Sequence, residues 1–211
     1  MFNKIKEAVT HKDETKSIRR AYIVMLIGAV LALIAAFVLS VEKVHLLSDP
    51  NAVLSCSFNV VLNCSAVMQT PQSAVFFGIP NMFIGMVAFP VIVTVAVAAL
   101  WGGAKFNKGF LKAANIGILL GTIFAYWLFF TSVYVIQVLC PWCLIVTFSC
   151  TLMIAAITHI NLRQNTWGLP KDLNEKIQKF LKAGYHQLIV ASWLVIMVAL
   201  VFLQFGEALF A

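Results

Sequence analysis

Residues 113–162 read AANIGILLGTIFAYWLFFTSVYVIQVLCPWCLIVTFSCTLMIAAITHINL, and no Lys, Arg, Asp or Glu interrupts them. Ionisable side chains are costly at the centre of a bilayer, so a stretch this long without one is the pattern of successive membrane spans. A helix needs roughly 20 apolar residues to cross a hydrocarbon core about 30 Å thick. Two spans therefore fit here, Ile116–Val138 and Leu144–Ile160, with the run Cys140-Pro141-Trp142-Cys143 at the turn between them. A second charge-free stretch, Pro50–Ala104, holds a span at Ile79–Trp101, and Ala21–Ser40 and Leu188–Phe205 complete a set of five. The first is too long for a cleaved secretory segment and lacks a small-x-small cleavage pattern, so it reads as a retained signal anchor.

The whole composition agrees: 62% of the 211 residues are hydrophobic, 11% are charged and the mean hydropathy is +0.94. A soluble domain of this size cannot hide so much apolar surface, which excludes the soluble classes of function. The expected fold is an all-α integral membrane protein, a four-helix transmembrane bundle plus a fifth C-terminal transmembrane helix. Its parts are a basic N-terminus (1–20), the bundle (21–160) with an outward loop (41–78), an amphipathic linker (161–187) and the fifth helix (188–211).

Basic residues set the orientation. They gather before span one (Lys4, Lys6, Lys12, Lys16, Arg19, Arg20), between spans two and three (Lys105, Lys108, Lys112), and between spans four and five (Arg163, Lys171, Lys176, Lys179, Lys182). With five spans these segments share one side, and of 15 basic residues only Lys43 falls on the other. The N-terminus is expected in the cytoplasm, with the loops at 41–78 and 139–143 facing outward. Basic loops beside anionic lipid account for the net charge of +7 without any nucleic acid. In 171–183, Leu173, Ile177, Phe180 and Leu181 recur at helical spacing among lysines, as in a helix lying on the membrane surface.

Four of the five cysteines fall on the outward side, where disulfides persist. Pro141 suits a first helical turn, which puts Cys140 and Cys143 at the N-terminus of span four. Unpaired N–H groups and the helix dipole stabilise a thiolate there, within reach of a disulfide on the water side or a quinone on the lipid side. Cys56 and Cys64 lie in the outward loop, where a pair can shuttle between a soluble partner and the fixed pair through mixed disulfides. Two duller readings compete. A Cys-x-x-Cys closes too small a loop to be much of a structural staple, and zinc is disfavoured by the Cys-x7-Cys spacing with no nearby His. Cys150, seven residues further into span four, reads as a small core residue.

These residues resemble the vitamin K epoxide reductase family in its bacterial branch. The resemblance covers about residues 21–160: the loop pair after span one, the Phe77-Gly78-Ile79-Pro80-Asn81 entry to span two, and Cys140-Pro141-Trp142-Cys143 opening span four. The order, loop pair first and Cys-x-x-Cys last, differs from that of the DsbB-like quinone reductases. It implies a bundle holding a quinone, ubiquinone or menaquinone, under a cap formed by the first loop. It also implies that a thioredoxin-fold (DsbA-like) protein delivers electrons to Cys56/Cys64, that Cys64 forms a mixed disulfide with Cys140, and that Cys143 faces the quinone. By the same resemblance Asn81 hydrogen-bonds a quinone carbonyl and the Thr70 hydroxyl assists exchange; both also read as ordinary helix-entry and turn residues. Phe76, Phe77, Phe83 and Trp142, near the outward boundary, either line the pocket or face lipid.

Animal members carry Tyr four residues after the last cysteine, where this chain has Thr147, which favours quinone over epoxide reduction. Some bacterial members carry a fused thioredoxin-like domain; none follows span five here, so the redox partner is expected to be a separate protein. The resulting expectation is a disulfide-forming thiol–quinone oxidoreductase of a bacterial inner membrane. The alternatives are a binding or transport protein with structural or metal-holding cysteines, and a quinone or epoxide reductase acting for its own sake.

Overall fold

A computed structural model describes the backbone of residues 2–49, 52 and 54–209 and the side chains of 13–49, 52 and 54–206. The side chains of Lys4, Lys6 and Lys12 in the basic N-terminus, positions 50, 51 and 53 of the outward loop, and the last two residues of the fifth helix lie outside the described residues. The described residues are mainly helical, with no sheet among them. Five of the helices are long and apolar enough to cross a membrane: Asp13–Ser48, Asn81–Leu100, Lys108–Ile136, Pro141–Arg163 and Tyr185–Gly206.

In chain order the helices are α1 (Phe2–Ser48), the short α2 (Cys64–Met68), α3 (Asn81–Leu100), α4 (Lys108–Thr131), α5 (Pro141–Arg163), α6 (Lys171–Lys182) and α7 (Tyr185–Leu209). A 3-10 turn at Pro71–Ala74 precedes α3, and a π-helical turn at Ser132–Ile136 ends α4. All five expected spans are present, but their helices outrun the apolar cores. Helix α1 continues beyond Ser40 to Ser48, so the first part of the expected loop 41–78 is helix. Helix α4 starts at Lys108 because the Asn107 side chain accepts the Phe110 N–H at 2.7 Å. Caps sit in the polar flanks, and so the backbone helix is longer than its hydrophobic segment.

Helices α1, α3, α4 and α5 pack as the bundle, with α1 against both α3 and α5, and α4 against α5. The α1 seam is made of small residues: Ala29, Ala32, Ala35 and Ala36 are buried at i, i+3 and i+4 spacing. A Cβ on Gly28 would stand 3.1 Å from the Ser149 carbonyl oxygen and 3.2 Å from Met153 Cγ. Between apolar helices in lipid, such close approach gains dispersion contact where little hydrophobic drive is available. The opposite face of α1 exposes Ile27, Leu31, Ile34 and Phe37, as a lipid-facing surface does.

Helix α7, to which the sequence assigned no role, packs along the half of the bundle that carries Cys140. Its Met197 and Phe205 are buried with Val61, Phe129, Val133 and Leu139. The Trp193 indole N–H donates to the Tyr126 hydroxyl of α4 at 2.7 Å. The amphipathic α6 forms as expected and buries Leu181, and Gln178 Nε2 donates to the Leu162 carbonyl at the end of α5 at 2.9 Å.

Candidate functional site

The loop between α1 and α3 is held by side chains of the α1 extension. Glu42 accepts hydrogen bonds from the Ser55 N–H (3.2 Å) and the Ser55 hydroxyl, one residue before Cys56. Lys43 donates to the Met68 carbonyl at the C-terminal end of α2 at 2.8 Å. The loop is also stitched to the entry of α5, where the Leu139 N–H donates to the Val61 carbonyl (2.7 Å) and the Asn63 N–H to the Leu139 carbonyl (3.0 Å). These backbone bonds put residue 64 beside residue 140.

Asn63 caps α2, its side-chain oxygen accepting the Ala66 N–H at 3.1 Å and the Ser57 hydroxyl at 3.0 Å. Cys64 is therefore the first residue of a helix. Cys140 stands at the same kind of position on α5: it is the cap, with Pro141 next, and its Sγ accepts the Cys143 N–H at 3.3 Å. Cys56 and Cys64 form a disulfide. Cys64 Sγ lies 3.5 Å from Cys140 Sγ, and Cys140 and Cys143 are free thiols.

Apolar side chains surround these sulfurs. Cys56, Cys64 and Cys140 are buried with Leu39, Leu46, Leu54 and Met68, against which Met82, Trp142 and Cys143 pack. Cys143 itself is only half-buried. The hydrogen bond with the Cys143 thiol, first, and the Cys143 and Trp142 N–H groups hold the Cys140 thiol below its usual range, against the upward push of burial.

The six residues singled out from sequence fall into two groups. The four cysteines converge in one place. Asn81 opens α3, where its amide is engaged with the loop: Nδ2 donates to the Gln72 carbonyl at 2.7 Å and Oδ1 accepts the Val75 N–H at 3.3 Å. The Thr70 hydroxyl donates to the Val67 carbonyl at 2.7 Å, and the residue stands just before the 3-10 turn without a side-chain hydrogen bond to it. Both side chains thus shape the cap of the bundle. Of the aromatics, Trp142 packs on the sulfur cluster, Phe76 lies with its ring 5.3 Å from that of Phe124, and Phe77 is fully exposed at φ 54°.

Cys150 is buried in the bundle core, as expected. Thr147, one turn after Cys143, donates to its carbonyl at 3.0 Å. Sequence reasoning missed Glu42, Lys43 and Asn63. A trace of each was present: Lys43 was the lone outward cation, with Glu42 beside it, and Asn directly before Cys64 is a helix-cap residue.

A quinone is an apolar ring with two acceptor oxygens. Met82 and Trp142 pack with the half-buried Cys143 on one cluster and offer apolar surface of the kind such a ring needs. A family model described as the vitamin K epoxide reductase family matches residues 23–158, from within α1 to within α5. No curated protein and no solved structure matches the chain significantly. The matched residues make up more than half of the chain and include both cysteine pairs and the contact between them. The chain belongs to the vitamin K epoxide reductase family, membrane oxidoreductases whose chemistry links disulfides to quinones.

Proposed function

We propose that this multi-pass membrane protein oxidises the dithiol of a separate thioredoxin-fold protein and passes the electrons through Cys56/Cys64 and then Cys140/Cys143 to a quinone. The observation that carries the reading is the 3.5 Å approach of Cys64 Sγ to Cys140 Sγ, one sulfur from each pair. In the accompanying orientation the basic segments face the cytoplasm and anionic lipid, and the cysteines face the extracytoplasmic side.

Thiol–disulfide exchange fixes the order of steps. The partner's thiolate attacks Cys56 of the loop disulfide and Cys64 leaves as a thiolate. The partner's second thiol then attacks the mixed disulfide, so the partner departs oxidised and the loop pair is left reduced. When Cys140 and Cys143 are joined, Cys64 attacks Cys140, Cys143 leaves, and Cys56 displaces Cys140 from the Cys64–Cys140 disulfide. Two electrons have then moved from the loop pair to the α5 pair. That end point is a joined Cys56/Cys64 with free Cys140 and Cys143, the arrangement described above.

The lowered Cys140 pKa makes Cys140 a good leaving group in the last displacement. A quinone, when bound, supplies the two-electron acceptor for the α5 dithiol. Asn81 is proposed to hold the cap and to present its second N–H to an acceptor oxygen, where developing negative charge strengthens the bond. Thr70 is proposed to hold the loop turn and thereby the position of the exchanging sulfurs.

The test is the purified protein in detergent with a reduced thioredoxin-fold protein and excess soluble quinone, followed by quinone absorbance. Quinone loss with oxidation of the partner, abolished by Cys143→Ala, is the expected result. No quinone loss with a competent partner sinks the proposal and returns attention to structural or metal-holding cysteines.

A further inference from the structure

The far end of α5 carries a second cluster, roughly 30 Å from Cys143 at 1.5 Å per helical residue. A cleft of about 830 Å³ opens there between α1, α5 and the α6–α7 corner. Its polar end is lined by Lys16, Arg20, Arg163 and Lys182 together with His159 and His186. Asp13 is the carboxylate in the lining, and Glu14 lies close enough to Arg163 to interact with it. The balance in the cleft is positive. Deeper in, Val24, Leu152, Val190 and Leu194 form an apolar wall.

Three nitrogens in this cluster are buried without a hydrogen-bond partner: His159 Nδ1, Arg163 Nε and His186 Nδ1. His159 and Arg163 are only 7% and 8% exposed. Each uses its other polar atoms within the fold. His159 Nε2 pairs with the Ser17 hydroxyl at 2.8 Å, and an Arg163 terminal nitrogen donates to Gln178 Oε1 at 3.0 Å. The His186 ring lies 4.7 Å from that of His159. Buried polar nitrogens are rarely left unpaired, and these three belong to residues that line one cleft, which leaves them open to a partner from outside the chain.

We propose that this cleft binds the phosphodiester headgroup of an anionic membrane lipid, with the acyl chains along the apolar wall. A phosphate offers several strong acceptor oxygens to guanidinium and imidazole donors. The cleft lies where α5 ends and where the apolar run of α1 begins, the level at which a headgroup meets the hydrocarbon. Free inorganic phosphate shares the headgroup chemistry but has nothing to place against Val24, Leu152, Val190 and Leu194.

The experiment uses the full chain in detergent and native mass spectrometry with phosphatidylglycerol and phosphatidylcholine of identical acyl chains, and inorganic phosphate as competitor. Phosphatidylglycerol is expected to be retained in preference. The exposed pair Arg20→Gln/Lys182→Gln is expected to weaken retention about five-fold per cation removed. His159→Gln, which can still pair with the Ser17 hydroxyl and loses the unpartnered Nδ1, is expected to weaken it as well while the melting temperature in lipid-free detergent holds. Equal retention of the two lipids, or retention by the double variant equal to that of the parent, overturns the proposal. Displacement of the lipid by millimolar phosphate overturns the assignment to a lipid.

Discussion

The two ends of α5 solve the same problem in opposite ways. At its N-terminal end the polar groups are satisfied within the chain: Cys140 takes the Cys143 N–H, Asn63 takes the Ala66 N–H, and Glu42 takes Ser55. At its C-terminal end, buried nitrogens of His159 and Arg163 have no partner. At the first end two cysteine pairs of the chain meet, with Cys64 Sγ 3.5 Å from Cys140 Sγ. The second end opens into the cleft proposed above to hold a lipid headgroup. On the two proposals made above, one helix carries a reaction at one end and a binding surface at the other.

The sharpest way to break this comparison is to remove one side of the sulfur contact. Cys64→Ser and Cys140→Ser each eliminate internal exchange, and quinone reduction by a partner dithiol is expected to fall by about a thousandfold or more, as when a nucleophile is lost. Lipid retention at the other end is expected to stay unchanged, measured on the same preparations. A fall in both would mean that the sulfur contact holds the fold together and that the two ends are not separate.

Much of this was legible in the residues because membrane spans and cysteine placement are strong local signals. The charge-free runs gave all five helices, and Pro141 gave the cap of α5. What sequence could not give was the register between segments far apart in the chain. The Leu139–Val61 and Asn63–Leu139 backbone bonds bring residue 64 to residue 140, and nothing in either local pattern announces that pairing. Helix ends were misjudged where a helix runs past its apolar core, as α4 does back to the cap at Asn107 and α1 does forward to Ser48. The cleft at the far end was invisible for a similar reason. His159, Arg163, His186 and Arg20 come from three helices, and each alone reads as a polar residue near a membrane boundary.

A smaller effect sharpens the chemical side. The hydrogen bond with the Cys143 thiol is the first cause of the lowered Cys140 pKa, while burial opposes it. Removing that thiol in Cys143→Ala is expected to raise the pH midpoint at which Cys140 is alkylated, read by mass spectrometry of the iodoacetamide adduct. The sign follows from the thiolate being the reactive form: with its main stabiliser gone, a larger share of Cys140 stays protonated at a given pH, and alkylation needs more alkaline solution. A midpoint that stays put or moves down would assign the shift to the backbone N–H groups of α5 instead.

The smallest expected effect belongs to Cys150, and it bears on whether position or residue type decides function along α5. Cys150 lies two turns beyond Cys143 on the same helix, buried with Met25, Ala29 and Met153 in the bundle core. It is a free cysteine set among apolar side chains. Cys150→Ala removes about one methylene-sized group, for which a loss of about 1 kcal/mol in stability is expected. Turnover with quinone is expected to stay within about twofold, since a loss of this size leaves the great majority of molecules folded. Unfolding in detergent and the quinone assay together check it. A large loss of turnover with stability intact would place a redox step inside the bundle, and the separation between a reactive N-terminal end and an inert helix core would no longer hold.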